Sequence, residues 1–155
     1  MNAKIIEIFR NFQLSILNLK DWPLLFMRLI LAYGFLGPAM MKINNMPAII
    51  DWFSSMGIPF PEVNAYLAAS SEIIGVFLLL FGFGVRLISI PLIIDMLVAI
   101  FTVHISHGFE AGNNGFEIPL YYMIMLFTLF VYGSGKFSIS WLVSYFINKR
   151  NLIES

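Results

Sequence analysis

Arg28, Lys42, Glu72, Asp95, His104 and Glu117 are ionisable side chains set inside long apolar runs or at their ends. A charge near the middle of a membrane helix costs about 2.5 to 3.5 kcal/mol on insertion scales. Such a group survives when it is paired and hydrogen-bonded, and otherwise neutralises. The chemistry open to this set is ion pairing in a dry interior, recognition of a polar headgroup, and proton exchange. Of the six, His104 is the one that trades a proton near neutral pH. There is no cysteine, which excludes thiol redox centres, cysteine-ligated zinc and iron–sulfur clusters. His104 and His107 are the two histidines, and they do not face each other across helices, so no metal or haem centre is expected. Nine Lys and Arg balance nine Asp and Glu, which offers no basic face to nucleic acid.

Depth and facing predict the pairing. Arg28 lies four to six residues into the first apolar run, Glu72 near the middle of the second, and Asp95 nine residues beyond Arg86 in the third. Arg28 is therefore expected to form a structural ion pair with Glu72, Asp95 or both. Arg28, Ala32, Phe35, Ala39 and Lys42 step by helical intervals and share a stripe, as do Ala65, Ala68, Glu72, Gly75 and Leu79. Asp95, Ala99 and Thr102 align in the third run, and Glu117, Tyr121, Ile124, Thr128 and Val131 in the last. His104 sits half a turn from Asp95, so the two are not expected in one narrow seam. Lys42, His104 and Glu117 should end near one surface and surround an outward-opening mouth. Each residue also has a plainer reading: an interhelical clamp for Arg28 and Glu72, a solvated structural group for Asp95, a hydrogen-bonded interface residue for His104, a snorkelling Lys42 and a surface anchor for Arg86.

The elements that must position these residues are helices in lipid. Hydrophobic residues make up 59% of the 155 and charged residues 12%, against about 45–50% and about 25% in soluble domains. Four apolar runs, Leu24–Met41, Ala65–Gly82, Leu87–Ile105 and Ile118–Gly133, approach the length of about 20 residues that a membrane helix needs. None alternates as a barrel strand does. The first run is preceded by charges and followed by no small-residue cleavage site, so it does not read as a cleaved signal. The expected fold is all-α: a four-transmembrane-helix bundle over residues 22–136, with an amphipathic helix over 1–21 and another over 137–155 lying in the interface. Pro47 to Met56 reads as a short helix on the outer face, closed by Gly57 to Pro61, and Gly82-Phe-Gly84 as a tight turn between antiparallel neighbours. Lys4, Arg10, Lys20, Arg86, Lys136, Lys149 and Arg150 fall on one side and Lys42 on the other, which places both termini in the cytoplasm.

These residues resemble a known family. Leu24-Leu-Phe-Met-Arg28-Leu, Gly37-Pro-Ala-Met-Met-Lys42, Met56-Gly-Ile-Pro-Phe-Pro61, Glu72-Ile-Ile-Gly75, Arg86 and Asn114-Gly-Phe-Glu117-Ile-Pro119 occur in the order and spacing of the DoxX family of small bacterial membrane proteins. The likeness runs from about Leu24 to Phe137. It implies a four-helix bundle in the bacterial inner membrane, with polar positions at Arg28, Lys42, Glu72, Arg86, His104, Asn114, Gly115, Glu117 and Pro119. Asp95 departs from the pattern, where an apolar residue is usual. The family name derives from a thiosulfate:quinone oxidoreductase system, so the resemblance implies association with an oxidoreductase.

Three functions fit. The first is a quinone- or lipid-binding component of a membrane oxidoreductase system, with Arg28, Lys42, Glu72, His104, Asn114 and Glu117 as ligand-binding residues. No cofactor is evident from the residues alone; a quinone is the one to expect, and the electrons then need a membrane or peripheral redox partner. The second is a non-enzymatic scaffold or chaperone subunit docking through the amphipathic flanks. The third, ranked last, is a small proton-linked transporter, which with four spans and no inverted repeat requires a homo-oligomer. Glu72→Gln is expected to weaken folding or binding more than Asp95→Asn, measured as detergent unfolding of the two variants side by side; equal tolerance would show that the wrong carboxylate was chosen.

Overall fold

A computed structural model of the chain describes residues 19–153 continuously (151–153 as backbone alone), and before them Glu7, Phe9, Arg10, Phe12, Ile16 and Leu17. The amphipathic helix expected over 1–21 lies largely outside the described residues. Those described are helical, turn or loop, with no strand among them.

The helices are α1 (Asp21–Asn44), α2 (Met46–Ser55), α3 (Pro61–Phe81), α4 (Val85–Ala99), α5 (Glu117–Tyr132) and α6 (Ile139–Ile153). A π-helical turn, Ile100–His104, and a 3-10 turn, Ile105–His107, extend α4. Three helices are long and apolar enough to cross a membrane: α1, α3, and α4 with its extension to His107. The fourth expected span corresponds to α5, which is apolar but has 16 residues. The expected short helix after Lys42 is α2, with Pro47 in its first turn.

Local sequence explains the breaks. Gly82 and Gly84 both adopt left-handed φ, at +67° and +58°, which glycine accepts without a Cβ penalty; they close α3 and open α4 within two residues. Gly133 and Gly135, at φ +80° and +72°, similarly release α5 into the connection to α6.

The core is one seam. Leu31, Ala32 and Phe35 of α1 meet Val76 and Leu79 of α3, Ile88 and Leu92 of α4, and Leu126 and Leu129 of α5. Small residues let backbones approach: a Cβ on Gly75 would lie 2.8 Å from Leu92 Cδ1, and one on Gly34 2.0 Å from the Tyr122 hydroxyl. The stripe expected on α1 is the buried one, with Arg28, Ala32, Phe35 and Ala39 each at most 4% exposed. On α5 the aligned stripe faces outward instead: Tyr121, Ile124 and Val131 are exposed, while Pro119, Leu126 and Leu129 are buried. Tyr33, Leu87, Phe101 and Phe127 are likewise exposed, as expected of helices whose outer face is solvated by acyl chains.

One end of the bundle is fastened by buried polar contacts. Asp21, 6% exposed, accepts a hydrogen bond at 3.0 Å from the Lys136 backbone N–H, joining the start of α1 to the α5–α6 connection. Arg28 Nη2 donates to the Phe137 carbonyl at 2.5 Å, and its guanidinium fills the space where a Cβ on Gly82 would stand, 1.6 Å from Nη1. Gly82→Ala is therefore expected to destabilise the protein by more than about 1 kcal/mol, through both the positive φ and the displaced arginine. Gly37→Ala, mid-helix with open space around it, should stabilise by about 0.5–1 kcal/mol. Thermal unfolding in detergent distinguishes these two glycines; equal shifts would refute the account of the Gly82 corner.

Candidate functional site

A cavity of about 1260 Å³ opens between α1, α2, α3, the α4 extension and the start of α5. Its walls are mostly apolar, from Phe35, Met41, Trp52, Phe53, Leu67 and Ile94 among others. Pro38 of α1 and Pro91 of α4 both line it. Each lies inside a helix, where it removes a backbone donor and crowds the carbonyl four residues earlier. Both prolines thus weaken the backbone hydrogen bonding of α1 and α4 where these helices border the cavity, although each helix runs on through its proline.

One wall carries charge. Lys42 Nζ lies 2.8 Å from both carboxylate oxygens of Glu72, and the two side chains are 11% and 5% exposed. Ser71, beside Glu72 on α3, contacts Asp95 Oδ2 at 2.5 Å. Lys42, Glu72, Ser71 and Asp95 all line the cavity, as do His104, Asn114 and Tyr122. The His104 Nδ1 lies 2.7 Å from the Asn114 carbonyl oxygen. A carbonyl can only accept, so Nδ1 carries the hydrogen.

This arrangement corrects several expectations. Glu72 pairs with Lys42, not with Arg28. The reason is level: α1 and α3 run antiparallel, and Arg28 abuts Gly82, ten residues beyond Glu72, which is about 15 Å along the axis. Lys42, about 21 Å farther along α1 than Arg28, comes level with Glu72. Asp95 likewise has no ion pair with Arg28; its contact is Ser71. Arg28 borders no part of the cavity, and its Nε and Nη1 have no hydrogen-bond partner among the described residues. Glu117 also stays out of the cavity. Its carboxylate accepts from the Ala111 N–H and the Tyr121 hydroxyl, each at 3.0 Å, and so ties down the 108–116 loop. Asp95 and His104 border one cavity despite their nine-residue spacing, because the wider π-helical turn between them changes the angle that regular α-helical winding would give.

Sequence reasoning missed Ser71, Tyr122 and the two prolines. Ser71 adjoins Glu72 and lies four residues before Gly75, so the small, polar face of α3 was the signal that could have found it. Lys42 was identified, but as part of an outer mouth and not as the counterion of Glu72.

The DoxX family model matches residues 23–105, more than half of the 155. The chain belongs to the DoxX family. Its match covers Arg28, Lys42, Glu72, Asp95 and His104 and ends before Asn114-Gly-Phe-Glu117-Ile-Pro119. An uncharacterised protein of Haemophilus influenzae is 33% identical over 128 residues, covering 77% of this chain and 82% of that protein. A Bacillus subtilis (strain 168) protein bearing the name "Putative oxidoreductase CatD" is 29% identical over 112 residues, covering 72% of this chain and 78% of its own length. No solved structure matches. With the apolar helices of spanning length, membership makes this DoxX chain a membrane protein in contact with lipid.

Removing one partner of a buried pair leaves an uncompensated charge, which costs about 3–5 kcal/mol, whereas replacing both with apolar groups is often neutral. Lys42→Met should therefore destabilise strongly, and Lys42→Met with Glu72→Leu should recover most of the loss. A double-mutant cycle from denaturant unfolding in micelles measures this; additive losses would mean that the two side chains do not act as a pair.

Proposed function

We propose that this DoxX protein is a quinone-binding component of a membrane oxidoreductase system, seated in the bacterial cytoplasmic membrane with both termini in the cytoplasm. The observation that carries the reading is the Lys42–Glu72 pair set in the wall of a cavity that is otherwise apolar. An isoprenoid quinone has the matching form: a ring with two carbonyl oxygens on a long apolar tail. A ring needs a few polar groups to orient it, and Lys42, Asp95 and His104 are the groups lining the space. At about 1260 Å³ the cavity exceeds the range of about 300–1,000 Å³ usual for small-ligand pockets, which leaves room for part of the tail.

The name of the Bacillus subtilis relative supports an oxidoreductase setting. The chain has no cysteine to serve as a redox centre of its own, so electrons pass through a partner subunit. The seven Lys and Arg on one side of the spans support the orientation. A second reading, a non-enzymatic subunit that docks a partner, is favoured by α6, where Trp141, Leu142, Tyr145 and Phe146 are all exposed.

Trp52 lines the cavity, while Trp22 and Trp141 do not. In a Trp22→Phe/Trp141→Phe background in lipid vesicles, a short-tailed benzoquinone is expected to quench Trp52 saturably. Ala99→Phe, which fills the cavity, should weaken that quenching about ten-fold, a loss of about 1.4 kcal/mol. Quenching that is non-saturable, or indifferent to Ala99→Phe, would count as partition into the bilayer and refute the site.

A further inference from the structure

Ser71 has two contacts that compete for one hydrogen. Its Oγ lies 2.9 Å from the Ala68 carbonyl oxygen and 2.5 Å from Asp95 Oδ2. A hydroxyl carries a single hydrogen, and a carbonyl and an ionised carboxylate are both acceptors only. One of the two contacts therefore lacks a hydrogen unless Asp95 supplies it.

The charge balance leads to the same residue. The cavity wall presents one ammonium, Lys42, to two carboxylates, Glu72 and Asp95. Lys42 meets both oxygens of Glu72 at 2.8 Å, which leaves Asp95 against a neutral hydroxyl. The other polar groups bordering the space are His104 and Thr102 from the α4 side, Asn64 and Ser70 from α3, Asn114 from the loop and Tyr122 from α5. None is a fixed cation. With both carboxylates ionised the wall would hold one uncompensated negative charge at membrane depth, and a single bound proton removes it.

We infer that Asp95 carries a proton in the resting protein and is the cavity's hydrogen-bond donor to a carbonyl oxygen of the bound ligand. In the resting arrangement the Asp95 O–H donates to Ser71 Oγ, and Ser71 donates in turn to the Ala68 carbonyl, so every hydrogen in the chain of contacts is placed. A ligand carbonyl reaching Asp95 redirects that one hydrogen and leaves the charge of the wall unchanged. The donor role rests on the quinone reading; the protonated state does not.

Infrared difference spectroscopy of the full chain in lipid vesicles tests both parts. Exposed carboxyls are ionised at neutral pH, and the two other buried ones have cationic or N–H partners, Glu72 with Lys42 and Asp21 with Lys136, so a protonated-carboxyl C=O band should come from Asp95 alone. It should shift on labelling aspartate with carbon-13 at the side-chain carboxyl, and vanish in Asp95→Asn. Where that variant does not fold, the label restricts the band to Asp21, Asp51 or Asp95, and its persistence in Asp21→Asn and Asp51→Asn completes the assignment. Absence of the band, or its survival in Asp95→Asn, overturns the inference. Adding the short-tailed benzoquinone should move the band in step with Trp52 quenching. A band that stays fixed while quenching saturates overturns the donor role. A band that is present without quenching overturns the quinone reading and leaves the protonated Asp95 in place.

Discussion

The Lys42–Glu72 ion pair sets the terms for the rest of the bundle. Both side chains are nearly excluded from solvent, and neither charge is affordable alone in that setting. Their meeting requires α1 and α3 to lie antiparallel in one register, since a shift of one helical turn, about 5.4 Å, would separate them. Ala39 of α1 is fully buried, a small residue that permits the close helix approach this register needs. The cavity then opens beside the pair, with Pro38 of α1 and Pro91 of α4 in its wall.

Arg28 solves the same problem at the opposite end with different means. It is 1% exposed and has a backbone carbonyl, not a carboxylate, as its partner. Together with Asp21, which holds the Lys136 amide, it fastens the start of α1 to the connection that follows α5. The two ends of the bundle are thus organised by different logic: one by cross-linking the chain, the other by placing charge at the edge of a space. Fold membership in DoxX accounts for the frame, whereas the chemistry has to be argued from Lys42, Glu72, Ser71 and Asp95.

Much of the frame was legible in the sequence because lipid leaves few choices. Apolar runs of spanning length, glycines at 82 and 84, and Pro47 at a helix start each have one ready physical meaning, and α1, α3, α4 and α2 follow from them. The stripe of Arg28, Ala32, Phe35 and Ala39 was readable from spacing alone. What escaped was pairing between helices. Depth was counted within single runs, which does not fix how two helices slide past one another, and Arg28 lies level with Gly82, about 15 Å along the axis from Glu72. The π-helical turn at Ile100–His104 carries no periodicity signal, so the angle between Asp95 and His104 was misjudged. Glu117 was placed correctly at a helix start, but its engagement with the Ala111 amide depends on a loop conformation that spacing does not reveal.

The length of α5 has a bearing on the membrane itself. Its 16 residues extend about 24 Å, against a hydrocarbon thickness of about 30 Å. Tyr132, at its end, is already exposed. A span of that length is accommodated by local thinning, by snorkelling flanking side chains or by association, each at fractions of a kcal/mol per Å. The deformation is one-sided, because α1, α3 and the extended α4 are long enough to span. Where α5 faces acyl chains, this short wall sets a local mismatch that the longer walls of the bundle do not share.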